Sequence, residues 1–211
     1  MFITLEGPEG SGKTSQLPDL AAFLREDGWN VLTTREPGGT DIGDQVRQVL
    51  MRIDNTAMDP RAETLLFLAA RAQLVAQIIR PALAEDRVVI SDRYGDSTIA
   101  YQGYGHKNDL NTIRQMLAFA TGGLIPDLTI LMDVDPAIGL RRKKSEGEWN
   151  RMDAYELEFH RRVRAGYLEL AREDPKRWVV LDASQSREMV QSALRQVVLA
   201  RLTPPSVAHN A

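Results

Sequence analysis

The sequence predicts an α/β fold of three layers, a five-stranded parallel sheet covered by helices on both faces. Two observations carry this reading. Short apolar runs of strand length alternate along the chain with segments whose apolar residues recur at helical spacing. The run Arg87–Ser91 is continuously apolar and β-branched at its centre, as in a parallel strand buried on both sides.

The chain opens on such a strand, Met1–Glu6, which delivers Gly7-Pro8-Glu9-Gly10-Ser11-Gly12-Lys13-Thr14. These eight residues match G-x-x-x-x-G-K-[ST] at every fixed position, and Ser15–Asp27 continues with a helical spacing of Leu17, Leu20, Ala21, Phe23 and Leu24. Strand, glycine loop and helix together make a P-loop: backbone N–H groups and the helix N-terminus converge on phosphate. Gly7, Gly10 and Gly12 let the backbone wrap the anion, Lys13 reaches the β and γ phosphates of a nucleoside triphosphate, and the Thr14 hydroxyl serves Mg²⁺. Pro18 removes the amide that would bond to Thr14, so a slight kink or a widened turn is expected there.

The second strand, Asn30–Thr34, runs into Arg35-Glu36-Pro37-Gly38-Gly39, a strand-to-helix loop whose glycines allow a close approach. Thr40 or Asp41 caps the next helix, which carries Arg47. Pro60 opens a long helix to about Ala84 that is apolar over more than one face, so part of it is expected to pack on the sheet and part on a second subunit. Phe67 and Arg71 lie four apart and share a face of it; by themselves they read as core and a solvated end. The third strand, Arg87–Ser91, ends in Asp92-Arg93-Tyr94, where the ligand crevice of an open α/β sheet lies, although a structural ion pair is a competing reading. Gly95–Gly105 reads as a helix start breaking into a glycine loop, with Tyr101 and Gln102 suited to a planar ligand.

A helix over Asp109–Thr121 stops at Gly122-Gly123, and Pro126–Asp135 is the fourth strand, with acids at its carboxyl end. Pro136 starts a short helix that turns into the mixed-charge run Arg141–Arg151, expected to be a mobile lid over about 141–153, because phosphoryl transfer needs extra cations and a cover that excludes water. Asp153–Glu173 is a long helix, Arg177–Asp182 the fifth strand and Glu188–Leu202 the last helix. Residues 1–202 are thus expected to form one domain, with a frayed tail at 203–211.

Composition narrows the function. A net charge of -3 provides no global basic field for nucleic acid. With 0 cysteines there is no disulfide, thiolate zinc site or cysteine nucleophile, and the 3 histidines are too scattered for a metal cluster. The apolar runs are too short for a membrane span and Met1 enters the first strand directly, so a cytoplasmic enzyme is expected. A guanine-reading N-K-x-D segment is absent, which argues against a switch GTPase. Two phosphorylated ligands facing each other across the strand tips, as in a small-molecule kinase, would explain the phosphate loop, the anion site at Asp92-Arg93 and the cationic lid together.

The pieces Leu5–Thr14, Thr34–Gly39, Phe67 with Arg71, Asp92–Tyr94, Ala100–Gly103, Pro126–Thr129 and Asn150–Asp153 fall in the order found in bacterial thymidylate kinases, which the chain resembles over residues 2–200. The resemblance implies transfer of the γ-phosphoryl group of ATP to dTMP with Mg²⁺, by a homodimer. It further implies that Phe67 stacks on thymine, Arg71 and Gln102 bond its edge, Tyr101 sits under the sugar and Glu9 faces the 3′-hydroxyl. Arg93 would hold the acceptor phosphate, with Asp92 organising Mg²⁺ and Ser97 and Thr98 lining the same side; Arg35 and Arg47 are further phosphate-site candidates. Relatives with an acid in the phosphate loop carry the helping arginine in the lid, and here Arg151, then Arg141, is expected to reach the transferred phosphoryl. A deoxynucleoside kinase, with an uncharged acceptor, and a non-catalytic nucleotide-binding regulator are the alternatives.

Overall fold

The computed structural model describes residues 1–147 and 149–202, apart from the side chain of Glu146; the expected tail, 203–211, lies outside the described residues. The strands are β1 (Phe2–Glu6), β2 (Val31–Arg35), β3 (Val88–Asp92), β4 (Leu128–Asp133) and β5 (Trp178–Asp182). They form one parallel sheet in the order β2-β3-β1-β4-β5, with β1 central as expected. Leu5 pairs with Asp92 and Asp92 with Arg35, so the carboxyl ends of three strands stop at one level. β1 is buried throughout, whereas the edge strand β5 alternates between buried and accessible residues, as burial on both faces or on one dictates.

The period of two sorts β1 between the layers. Ile3 and Leu5 join a core with α1 (Lys13–Glu26) and the last helix, through Leu20, Leu24, Leu194 and Val198. Phe2 joins the opposite core, beneath α3 (Pro60–Ala84). Glu6 therefore points into that same opposite layer, where it is fully buried. Between them lies α2 (Asp41–Met51), whose N-cap is Thr40: its Oγ1 accepts from the Gly43 amide at 2.9 Å. By length and hydropathy α3 would suit a membrane span, but here it buries Glu63, Thr64 and Arg71 inside the fold.

Three expectations are corrected. α1 is uninterrupted through Pro18, so of the two outcomes expected there the widened turn does not form. Gly95–Gly105 does not break into a loop: α4 continues from an α-helical turn, Gly95–Thr98, into a π-helical stretch, Ile99–Gly105. Its glycines admit a neighbouring helix, since a methyl on Gly105 would lie 2.7 Å from the Phe159 ring. After α5 (Leu110–Thr121), α6 (Pro136–Glu146) runs into the first part of the stretch 141–153, until Gly147 turns left-handed. Finally α7 runs Leu157–Glu173 rather than from Asp153, because Asn150 N–H donates to Asp153 Oδ2 at 2.9 Å and closes a turn there. The last helix, α8, spans Arg187–Leu199.

Candidate active site

The tips of β1, β2 and β3 and the start of α1 border a crevice of about 1210 Å³. Gly10 and Gly12 in the phosphate loop have φ of 67° and 88°, which a side chain would strain. Gly10 also leans on α6, where a methyl would overlap the Gly139 carbonyl and where, reciprocally, a methyl on Gly139 would overlap the Glu9 carbonyl. Lys13 is buried and its Nζ donates to the Gly7 and Pro8 carbonyls and to Ser11 Oγ, each at 3.0 Å. Burial, and then the Arg93 charge, bring its ammonium down to about 8.

Thr14 Oγ1 donates to Asp92 Oδ2 at 2.7 Å, bringing together the two residues expected at the metal. Among the described residues there is no group of three or more His, Asp or Glu side chains that could hold an ion alone. One hydroxyl beside one carboxylate suits Mg²⁺, which takes few protein oxygens and completes its shell with phosphate and water.

Beyond Asp92 the backbone turns left-handed at Arg93, with φ of 70°, aiming its guanidinium back over the loop. Nη2 donates to Glu9 Oε1 at 2.9 Å and to Tyr101 Oη at 3.1 Å, while Nη1 donates to the Gly7 carbonyl at 3.0 Å. Tyr101 Oη also donates to Glu9 Oε1 at 2.9 Å. Burial alone would raise the Glu9 carboxyl, but Arg93 and then Lys13 outweigh it and hold it at about 2. Glu9 is thus an anion at neutral pH, wedged between two cations.

Next to Arg93, Phe67, Arg71, Thr98 and Gln102 line the same crevice. Arg71 is 1% exposed and braced on three sides: Nε donates to Glu36 Oε2 at 2.7 Å, Nη1 to Thr98 Oγ1 at 2.7 Å and Nη2 to the Tyr94 carbonyl at 3.0 Å. Three bonds leave N–H groups of its fork for a ligand. Gln102 Nε2 donates to Glu63 Oε1 at 2.8 Å, so its amide orientation is set from behind. Arg35 and Arg47 also border the crevice; Arg35 is exposed near Asp44 at 3.8 Å and Arg47 donates to the Pro37 carbonyl at 2.9 Å. Ser97 reaches Arg93 Nη1 at 3.3 Å.

The expectation for Arg151 is not met by this geometry. Its buried guanidinium pairs with Glu63 Oε2 at 2.7 Å and donates to the Leu50 carbonyl and Tyr155 Oη, each at 2.8 Å. It stands behind the pocket wall, not among the residues lining the crevice. Arg141 is exposed on α6 and likewise outside that lining. Among the described residues, Lys143 is the cation of this stretch that borders the crevice. Sequence reasoning also passed over Glu36, Glu63, Gly139 and Tyr167. Glu36 stood inside a highlighted loop; the others carry no local motif and act through contacts far apart in the chain.

The thymidylate kinase family model matches residues 5–194. The thymidylate kinase of Roseiflexus sp. (strain RS-1) is 50% identical over 94% of this chain and 93% of its own, and that of Deinococcus radiodurans 48% identical over 95% and 97%. The crystal structure of thymidylate kinase from Ehrlichia chaffeensis superposes with a TM-score of 0.78 at 35% identity, covering 94% of this chain and 98% of the other. With its P-loop, its Asp92-Arg93 strand tip and its Phe67–Arg71 pocket at one sheet edge, the chain belongs to the thymidylate kinase family.

Proposed function

We propose that the protein transfers the γ-phosphoryl group of ATP to dTMP, giving dTDP and ADP for dTTP synthesis. The observation that carries this reading is the position of Arg93, held by Glu9 and Tyr101 between the phosphate loop on one side and the Phe67–Arg71 pocket on the other. A guanidinium there can face an acceptor phosphate that points at the donor triphosphate.

Phosphoryl transfer passes through a loose, charge-rich transition state, so positioning and cations matter more than a strong base. Lys13 and the loop amides from Gly7 to Thr14 hold the β and γ phosphates. Thr14 and Asp92 would hold Mg²⁺, which would neutralise phosphate charge when bound. Phe67 stacks on the thymine ring, Arg71 and Gln102 bond its edge, and Thr98 lies beside them. Tyr101 closes the space beneath the sugar, where a 2′-hydroxyl would meet its ring. Glu9 faces the 3′-hydroxyl, and Ser97, Arg35 and Arg47 complete the acceptor side. At the lid, Lys143 takes the place expected for Arg151, because it borders the crevice and Arg151 is committed to Glu63.

The enzyme works in the cytoplasm as a homodimer: Leu65 on α3 and Phe119 on α5 are 57% and 91% exposed, apolar area that a second copy would cover. An ADP-release assay across nucleoside monophosphates, with thymidine included, tests the reaction. Turnover with dTMP and none with thymidine is expected, and Lys13→Ala and Arg93→Ala should each lower kcat by about 10³-fold or more. Phosphorylation of thymidine in preference to dTMP, or ATP binding without ADP release for any acceptor, would overturn the reading.

A further inference from the structure

Behind Arg93 lies a buried polar cluster that the reaction as described does not use. Tyr167, in the middle of α7, is 0% exposed, and its Oη accepts from Arg93 Nη1 at 3.1 Å. The same oxygen donates to Glu6 Oε2 at 2.9 Å and lies 2.7 Å from Ser97 Oγ, which in turn donates to Glu6 Oε2 at 2.6 Å. Glu6 Oε1 is fixed separately, accepting from the Tyr94 amide at 2.8 Å. The three oxygens of Glu6, Ser97 and Tyr167 therefore form a closed triangle.

Counting protons shows what this triangle can be. With Glu6 ionised, both hydroxyls donate to its Oε2 and the Ser97–Tyr167 edge has no proton; with Glu6 protonated, its acid proton goes to one hydroxyl, which turns to donate to the other, and all three edges are filled. Burial first, then Asp96, raise the Glu6 carboxyl to about 7, against the opposing pull of Ser97, Arg93 and Tyr167, so this acid form is available near neutral pH. With all three edges filled, hydroxyl lone pairs are turned outward toward Arg93 Nη1, whose other acceptor is the Gly7 carbonyl. One edge of the guanidinium is thus clamped by groups from α7, α4 and the phosphate loop.

We propose that Tyr167 is a positioning residue for Arg93: the phenol, anchored on Glu6, sets the guanidinium where it meets the acceptor phosphate. This rests on the reading that Arg93 holds that phosphate. Loss of one hydrogen bond to a charged group weakens the interaction by roughly tenfold or more. The consequence is specific to the phosphorylated acceptor, because the nucleoside part is gripped by Phe67 and Arg71.

The test compares the wild type, Tyr167→Phe and Arg93→Ala for direct binding of dTMP and of thymidine by calorimetry, alongside kcat and KM for dTMP. Tyr167→Phe should lose roughly tenfold in dTMP affinity while thymidine affinity moves by less than about twofold. Unchanged dTMP binding and turnover in Tyr167→Phe, with Arg93→Ala still losing phosphate-dependent affinity, overturns the positioning role. Equal weakening of dTMP and thymidine overturns it too, since that marks a general packing role. If Arg93→Ala keeps the preference for dTMP over thymidine, the underlying assignment of Arg93 fails instead. Should Tyr167→Phe not fold, 3,5-difluorotyrosine at position 167 keeps the ring and weakens the oxygen as an acceptor, and the same selective loss of dTMP affinity is required.

Discussion

Replacing Glu63 by glutamine tests the reassignment of Arg151. Glu63 is 0% exposed, accepts from Gln102 Nε2 and Tyr155 Oη at 2.8 Å each, lies 3.0 Å from His106 Nε2 and pairs with Arg151 at 2.7 Å. Burial alone would raise its carboxyl, but bonds from His106 and Gln102 and the charge of Arg151 prevail and hold it at about 2, against 4.5 unperturbed. At about 1.4 kcal/mol per pH unit, that difference makes its ionised form worth roughly 3 kcal/mol to the folded state. Breaking a buried ion pair from one side costs about 3–5 kcal/mol, so two routes agree. In urea at pH 7, Glu63→Gln should lose roughly 3 kcal/mol with an unchanged m-value, and its Tm should fall by roughly 6–12 °C. The sign with pH follows from the depressed value: the folded state binds fewer protons than the unfolded one between 4.5 and about 2, so this stabilisation is complete above 4.5 and is lost as pH falls through that window. The gap between wild type and variant should therefore close toward pH 2. Arg151→Leu should destabilise comparably while kcat, measured well below the transition, stays within about tenfold of wild type, far from the ~10³ that a lid cation would cost. A loss under about 1 kcal/mol for Glu63→Gln, or a collapse of kcat in a stable Arg151→Leu, would refute the structural role.

Glu6 gives the opposite pH dependence. Its folded value of about 7 lies above 4.5, so the folded state binds more protons and stability falls as pH rises from 4.5 to about 7, by roughly 3 kcal/mol. Denaturation at several pH values should show wild type losing that much relative to Glu6→Gln across the window; parallel profiles would contradict it. Gly139→Ala should force apart α6 and the Glu9 carbonyl, and a loop displaced at this distance should raise KM for ATP by roughly tenfold with dTMP affinity less affected. Steady-state kinetics with each substrate varied in turn would show this, and an equal change for both substrates would contradict it.

The layered fold was legible because its signals are local. The continuous run Val88-Val89-Ile90 needs burial on both faces, and Gly10 and Gly12 need backbone angles that side chains resist. The phosphate loop, Asp92 and Arg93 were also readable, since a strand tip in a parallel sheet borders the crevice whatever the rest of the chain does. Where the local pattern was read too simply, packing decided otherwise. The glycines of Gly95–Gly105 suggested a loop, yet they let helices pack closely, Gly105 against Phe159 and Val163 and Gly95 and Gly103 against Leu117 and Leu110.

What the sequence by itself determined is the chemistry on offer: a phosphate-binding loop, a hydroxyl and a carboxylate, an arginine at a strand tip and an aromatic beside a second arginine. Only the tertiary structure decided which cation borders the crevice and which is paired behind it. Arg151 and Lys143 are eight residues apart and chemically alike in sequence, but Arg151 meets Glu63, which is 88 positions away, and Lys143 does not leave the crevice. Charge is a property of the residue; whether it lies against a buried carboxylate or at the rim of a crevice depends on contacts that the chain brings together only by folding.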